Sequence, residues 1–321
     1  MVKKKLKIGV LFGGKSAEHE VSVMSAKNVI AALDTQKYEI ISIKIPKDGK
    51  FDFSQLKKVD VVFPVLHGPF GEDGSMQGLL KLSGVPFVGA GVLGSAVSMD
   101  KDIMKRLFKE AGIPVGKFVT IRSHDELNFN AIKKQLGLPL FIKPANMGSS
   151  IGVSKVRNEK EFQIAVSEAF KFDTKIIVEQ FIDAREIECS VLGNEVPMAS
   201  VLGEVVPTAE FYSYDAKYVN ASETLLKARV DAKTEEKIKD LAIKTFQVLC
   251  CEGLGRVDFL LRKNGEVLVN EINTIPGFTN ISMYPKLWEA SGIPQTKLLD
   301  KLIDLALERY KREKKLKTSN S

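Results

Sequence analysis

The chain has 321 residues, enough for two or three domains, and a composition of 44% apolar and 27% charged residues excludes disorder as its main state. The net charge of +7 points toward a polyanionic partner, but it sits at the ends. Lys3, Lys4, Lys5 and Lys7 contribute +4, Arg309, Lys311, Arg312, Lys314, Lys315 and Lys317 against Glu308 and Glu313 contribute another +4, and residues 8–307 sum to −1. The body is nearly neutral, so the charge is no footprint of nucleic acid, and the basic ends read as aids to solubility.

In chain order, the pattern predicts a buried parallel strand over 7–12, a helix over 20–33 and strands over 38–45 and 59–66. A Gly-rich loop, a helix over 76–82 and a short strand over 86–88 follow. Strands alternating with helices imply right-handed βαβ units and an open parallel sheet, in a first domain of residues 1–97. A helix over 100–111 is stopped by Gly112 and Pro114. Next come a strand over 117–121, a helix over 125–136, strands over 140–143 and 152–156, a helix over 159–170 and a strand over 175–181. They form an α+β unit of residues 98–183. The third unit, 184–321, holds strands over 186–192 and 195–205, an irregular segment 206–226, a helix over 234–250, strands over 255–262 and 266–273, and a helix over 294–311. The fold class is α/β, with α+β character in the second and third units.

Three cysteines (Cys189, Cys250, Cys251) are too few for a disulfide framework, and the three histidines are scattered. The basic start followed by residues 8–14 is too short and Gly-interrupted for a signal peptide. The uncharged stretch 82–99 holds too many Gly, Ser and Pro residues for a membrane helix. A cytoplasmic protein without a membrane partner is expected.

Gly9-Val10-Leu11-Phe12-Gly13-Gly14-Lys15-Ser16 satisfies the P-loop pattern literally. A P-loop needs its variable residues in a loop beyond the strand, whereas Gly9 to Phe12 lie within the predicted strand. What survives is a Gly-Gly turn between a strand and a helix, the place where doubly wound sheets put ligands.

The chemistry-bearing constellation lies further on. Asp258, Glu271 and Asn273 are hard oxygen donors, and strand alternation puts Glu271 and Asn273 on one face. Two carboxylates and a carboxamide suit Mg²⁺ better than zinc. Arg256 shares the face of Asp258 and is suited to an oxyanion. Lys143 ends a buried strand and precedes the small-residue loop Asn146-Met147-Gly148-Ser149-Ser150-Ile151-Gly152, whose N–H groups could enclose phosphates. Lys101 opens a helix, and Glu179-Gln180-Phe181-Ile182 ends a strand with Glu186 close behind. Together these make a nucleotide site with no P-loop.

The chain resembles the ATP-grasp superfamily, and within it the D-alanine–D-alanine ligase family, from about residue 5 to 310. The resemblance is carried by the run from Gly13 to Ser22, His67-Gly68 with Gly71-Glu72-Asp73-Gly74, Met99-Asp100-Lys101, Lys143-Pro144 with Gly148-Ser149-Ser150, and the run from Tyr214 to Tyr218. It continues in Gly255-Arg256 with Asp258, and in the run from Asn270 to Thr274 with Pro276-Gly277. It implies a Rossmann-like N-terminal domain followed by a two-lobed ATP-grasp fold. The implied reaction is ATP-dependent ligation of two D-alanines through an acyl phosphate, for peptidoglycan precursors. The family's cofactors are ATP and two Mg²⁺ ions, for which Mn²⁺ can substitute, and its usual state is a homodimer with contacts largely from the first domain.

By the same resemblance Lys101, Lys143, Ser150 and Lys217 hold ATP phosphates. Glu179 and the backbone of Gln180, Phe181 and Ile182 hold adenine, and Glu186 holds ribose. Gln180 stands where some relatives have lysine. Asp258, Glu271 and Asn273 bind the metals, while Arg256 and the Gly277 N–H stabilise the tetrahedral oxyanion. Glu18 takes the first D-alanine's ammonium, linked to Ser149 and Tyr218 in one network. His67 faces the first substrate, Ser282 and the Met283 backbone receive the second carboxylate, and Glu72 lies nearby. Segment 206–226, with Phe211, Tyr212, Tyr214 and Tyr218 around Lys217, is a mobile loop closing over ATP to exclude water. Tyr218 favours the dipeptide over D-alanyl-D-lactate. The rival readings are a nucleic-acid module driven by the basic ends and a carboxylate–amine ligase with a different acceptor.

Overall fold

The structure is a computed structural model that describes residues 4–206 and 223–317. The expectations placed on Phe211, Tyr212, Tyr214, Lys217 and Tyr218 fall outside the described residues.

Strand β1 (Leu6–Gly13) lies between β2 (Tyr38–Ile45) and β3 (Val61–Pro64), all parallel, in the order β2-β1-β3. The expected strand at 86–88 contributes only a single parallel bridge, Val62 to Phe87. Helix α1 (His19–Ala32) follows β1 across the Gly13-Gly14 turn, and its residues Ala26 and Val29 are buried against the sheet. Gly13 has φ +95°, and a Cβ there would lie 2.3 Å from the Ile45 carbonyl oxygen, so only glycine makes this turn. Gly9 is within the sheet, opposite Ile41 and Val62, as the rejection of the P-loop requires.

Helices α2 (Ser75–Leu82), α3 (Val92–Met99) and α4 (Lys101–Glu110) lead to the second unit. Among the described residues no helix is long and apolar enough to cross a membrane. Asp100 caps α4 by accepting from the N–H groups of Asp102 and Ile103, both at 3.1 Å. The second sheet is antiparallel: β4 (Phe118–Arg122), β5 (Leu140–Pro144), β6 (Ser154–Val156) and β7 (Lys175–Gln180), in the order β4-β7-β5-β6. Helices α5 (Phe129–Leu136) and α6 (Glu159–Ala169) cover it through Phe129, Ile132, Phe162 and Val166.

The third sheet is β8 (Ala184–Gly193), β9 (Met198–Val206), β10 (Glu223–Leu226), β11 (Gly253–Arg262) and β12 (Val267–Asn273), in the order β10-β9-β8-β11-β12. The end of the segment expected to be irregular is thus a strand: Glu223 to Leu226 pairs antiparallel with Val206 to Gly203. Helix α7 (Ala232–Val248) and α4 pack on this sheet through Ile238, Phe246, Met104 and Phe108.

Two further helices, α8 (Met283–Ala290) and α9 (Gln295–Glu313), bring the chain back to its beginning. Leu298, Leu302 and Ile303 of α9 share one core with Ile8, Val10 and Phe63 of the first sheet. The C-terminal basic run is therefore not all solubilising surface. Arg309 is buried and donates to the carbonyls of Phe87 (2.7 Å) and Gly89, and Arg312 pairs with Glu252.

Candidate active site

Two adjoining cavities lie where the three sheets converge. The larger, about 350 Å³, is lined by Lys101, Lys143, the loop Met147–Ser150, the strand end Glu179–Ile182, Glu186, Asp258 and Glu271. The smaller, about 200 Å³, is lined by Glu18, His67, Glu72, Arg256, Asn273, Gly277, Ser282, Met283 and Lys286. Lys101, Met147, Gly148, Ser149, Glu188 and Glu271 line both, so the cavities lie side by side and share these residues. The first has the volume of a typical ligand site, and the second suits something smaller.

The small cavity carries a buried acid. Glu18 stands in the turn before α1 and is 5% exposed. Its Oε1 accepts from the Ser149 hydroxyl, whereas Oε2 is buried with no hydrogen-bond partner. A carboxylate oxygen left this way is costly unless a cationic ligand completes it. Gly68, with φ +74°, makes room for it, since a Cβ there would lie 2.5 Å from Glu18 Oε2. Ser149 and Ser150 both have positive φ (50° and 58°), an uncommon backbone for non-glycine residues that gives the 148–152 loop its tight curl.

His67 lines the cavity, but its ring is committed elsewhere. Nδ1 lies 3.0 Å from the Ile275 carbonyl and Nε2 3.2 Å from Ser25 Oγ, and burial holds its pKa below the ordinary range. The ring therefore lines the cavity while both of its nitrogens contact protein groups that hold the neighbouring loop in place. Ser25 also accepts from Phe278 N at 3.2 Å, and Asn28 donates to Phe278 O at 2.5 Å. First-unit residues therefore pin both sides of Gly277. The Ser282 hydroxyl accepts from Thr279 N at 3.0 Å, beside Gly277 and at the N-terminus of α8.

Glu72 was expected near the second substrate and lines the same cavity. Oε2 accepts from Gly68 N (2.6 Å) and Oε1 from Ile275 N (3.3 Å). Burial, reinforced by the charge of Glu18, pushes its carboxyl up to about 8.

In the large cavity, Lys101 donates to the Met147 carbonyl at 2.8 Å and lies 3.4 Å from Glu271. Lys143 pairs with Glu179 Oε2 at 2.5 Å, and Lys105 with Oε1 at 2.7 Å. Burial opposes ionisation of Glu179, but the two ammonium groups outweigh it and hold the carboxyl well below the usual carboxylate range. Burial likewise disfavours the Lys143 cation, and Glu179 and Glu271 more than compensate, raising its pKa. Lys105 was missed in the sequence; its signal is the one-turn spacing from Lys101 along α4.

Antiparallel register puts Asp258 opposite Glu271 on one side and Glu188 on the other, with Arg256 opposite Asn273. A bulge beside Asp258 lies on the β11–β12 pairing. Arg256 donates to both Asp258 oxygens (2.7 and 2.8 Å) and stands 3.2 Å from Glu188. Glu188 was also missed, although it alternates with Glu186 along β8. Among the described residues no three His, Cys, Asp or Glu side chains close into a metal cluster. The set Asp258, Glu271 and Asn273 nevertheless fits a hard cation, because every donor it offers is oxygen. Asn273 Oδ1 already accepts from Ile275 N at 3.0 Å.

The chain matches the family profile of the D-ala D-ala ligase N-terminus at residues 7–57 and 51–90, and that of the D-ala D-ala ligase C-terminus at residues 107–304. It is 47% identical to a D-alanine–D-alanine ligase of Oceanobacillus iheyensis over 363 aligned positions, covering 99% of each chain. The solved D-alanine–D-alanine ligase from Coxiella burnetii superposes with a TM-score of 0.88 at 39% identity, over 98% of this chain and 97% of that one. That from Bacillus anthracis, solved in complex with ATP, gives 0.83 at 32% identity, over 96% and 99%. The architecture is a Rossmann-like unit followed by the two-lobed ATP-grasp fold, and the chain belongs to the D-alanine–D-alanine ligase family.

Proposed function

We propose that the chain joins two D-alanine molecules at the expense of ATP, through an acyl phosphate, to make D-alanyl-D-alanine for peptidoglycan precursors. The observation that carries this reading is the unpartnered Glu18 Oε2 in a small cavity that shares lining residues with a larger, lysine-lined one. An amino acid whose ammonium completes Glu18 has its carboxylate free to reach toward Lys101 and the 148–150 loop.

Adenine enters the slot at the end of β7, against the backbone of Gln180, Phe181 and Ile182, with Glu186 at the ribose. Lys101, Lys143, Ser150 and Lys217 take the phosphates. A carboxylate oxygen of the first D-alanine attacks the γ-phosphorus, the bond to the β-phosphate oxygen breaks, and ADP leaves. The amine of the second D-alanine then attacks the acyl carbon and inorganic phosphate departs. Arg256 and the Gly277 N–H face the oxyanion of that step, an interaction for which one donor is typically worth about 10²–10³ in rate. Ser282 and the Met283 N–H receive the second carboxylate. Mg²⁺, with Mn²⁺ as a hard-ion substitute, would be held as two ions by Asp258, Glu271 and Asn273 and would screen the triphosphate from the attacking carboxylate.

We place the enzyme in the cytoplasm as a homodimer. The test is phosphate release from ATP by the purified chain with Mg²⁺ while the amino acid is varied. Release should require D-alanine; turnover with L-alanine and none with D-alanine would overturn the reading.

A further inference from the structure

Glu179 is a buried carboxylate with a lysine on each oxygen, Lys143 at 2.5 Å and Lys105 at 2.7 Å. The two lysines come from different elements. Lys143 ends β5 next to the loop Met147–Ser150, while Lys105 lies on α4 and is only 3% exposed. Lys143 also feels Glu271 and Glu186, so several acids draw on it at once.

We infer that Lys105 is a positioning residue for nucleotide binding: it keeps Glu179 paired so that Lys143 is free to turn to the triphosphate. The inference rests on the ATP site proposed above. A buried carboxylate that loses its only cation is left uncompensated, which is strongly unfavourable. With Lys143 alone, every contact Lys143 made to phosphate would be opposed by the acid it left behind. Lys105 removes that conflict because it is buried on a packed helix and already meets Glu179 Oε1 at 2.7 Å, with no need to move. Glu179 is then a bracket between two cations, one fixed and one recruitable, in addition to any contact it makes with adenine.

The test compares ATP binding and kinetics in Lys105→Met, Lys105→Arg, and the double variant Lys105→Met with Glu179→Gln. Lys105→Met should raise the Kd and KM for ATP by about 10- to 100-fold, the scale of one lost charge-assisted bond, with the KM for D-alanine little changed. Lys105→Arg should recover most of the affinity. The double variant should bind ATP better than Lys105→Met alone, because a neutral amide no longer holds Lys143 back. Loss of stability without suppression by Glu179→Gln would overturn the inference, as would unchanged ATP affinity in a folded Lys105→Met protein. Wild-type protein that binds no ATP would instead overturn the functional reading itself. Thermal melts of each variant separate misfolding from weak binding.

Discussion

The Ser149 hydroxyl donates to Glu18 Oε1 across 131 residues of sequence, joining the small-residue loop of the second unit to the acid at the foot of α1. One Glu18 oxygen is thereby spent on holding the loop and the other is kept for a ligand. The small cavity and the loop therefore meet at a single carboxylate.

Glu18→Gln should preserve the Ser149 contact while removing the charge. The expected result is a KM for the first D-alanine raised about 10- to 100-fold with ATP affinity nearly intact, read from initial rates at varied D-alanine. Ser149→Ala should affect both substrates, since it frees the loop as well as the acid.

Gly68→Ala places a methyl group 2.5 Å from Glu18 Oε2 and adds strain at φ +74°. D-alanine-dependent phosphate release should fall by at least about 100-fold, a cost near 3 kcal/mol. Nucleotide binding by calorimetry should be affected less, because Gly68 does not line the large cavity.

Glu72 gives a pH signature. Its carboxyl is raised by burial, and by Glu18, from 4.5 to about 8, against hydrogen bonds from Gly68 N and Ile275 N and the charge of Lys101. The folded state therefore binds this proton more tightly than the unfolded one. The associated stability is fully present below 4.5 and is lost as pH rises through about 8. Denaturant titrations from pH 5 to 8 should show wild type losing stability relative to Glu72→Gln as pH rises. Parallel curves would contradict the assignment.

Arg309→Leu removes the donor to two buried carbonyls, those of Phe87 and Gly89, at the joint between the first unit and α9. We expect about 2–5 kcal/mol of destabilisation, measured by denaturant unfolding. Lys311→Ala, on the exposed side of the same helix, should be close to neutral.

Much of this site was legible because its parts are local. The run from β1 through Gly13-Gly14 into α1 reads directly as strand, turn and helix, and alternation along β12 puts Glu271 and Asn273 on one face, while the register that sets Asp258 opposite Glu271 came from the structure. What escaped was set by tertiary packing. Helix α3 is built on Gly94, Ser95 and Ser98, weak helix formers that fit only because Gly94 lies close against the Cys250 backbone. Helix α8 carries Pro285 in its first turn, where proline is tolerated but reads as a break. The 125–136 helix starts only at Phe129, because Asn128 caps it by accepting from Ala131 N. The role of Lys105 could not be read without Glu179, and that of His67 needed Ile275, 208 residues away.

The return of α9 to the first sheet has a consequence in time. Ile8, Val10 and Phe63 are made more than 200 residues ahead of Leu298, Leu302 and Ile303, which complete their core. At about 5–20 residues per second, a ribosome leaves those strands waiting roughly 15–60 s for their covering helix. Contacts this distant in sequence also close slowly once both partners exist. During synthesis the nascent first sheet shows its apolar face to whatever is nearby, so this enzyme's yield in the cell should depend on chaperone capacity more than its final stability suggests.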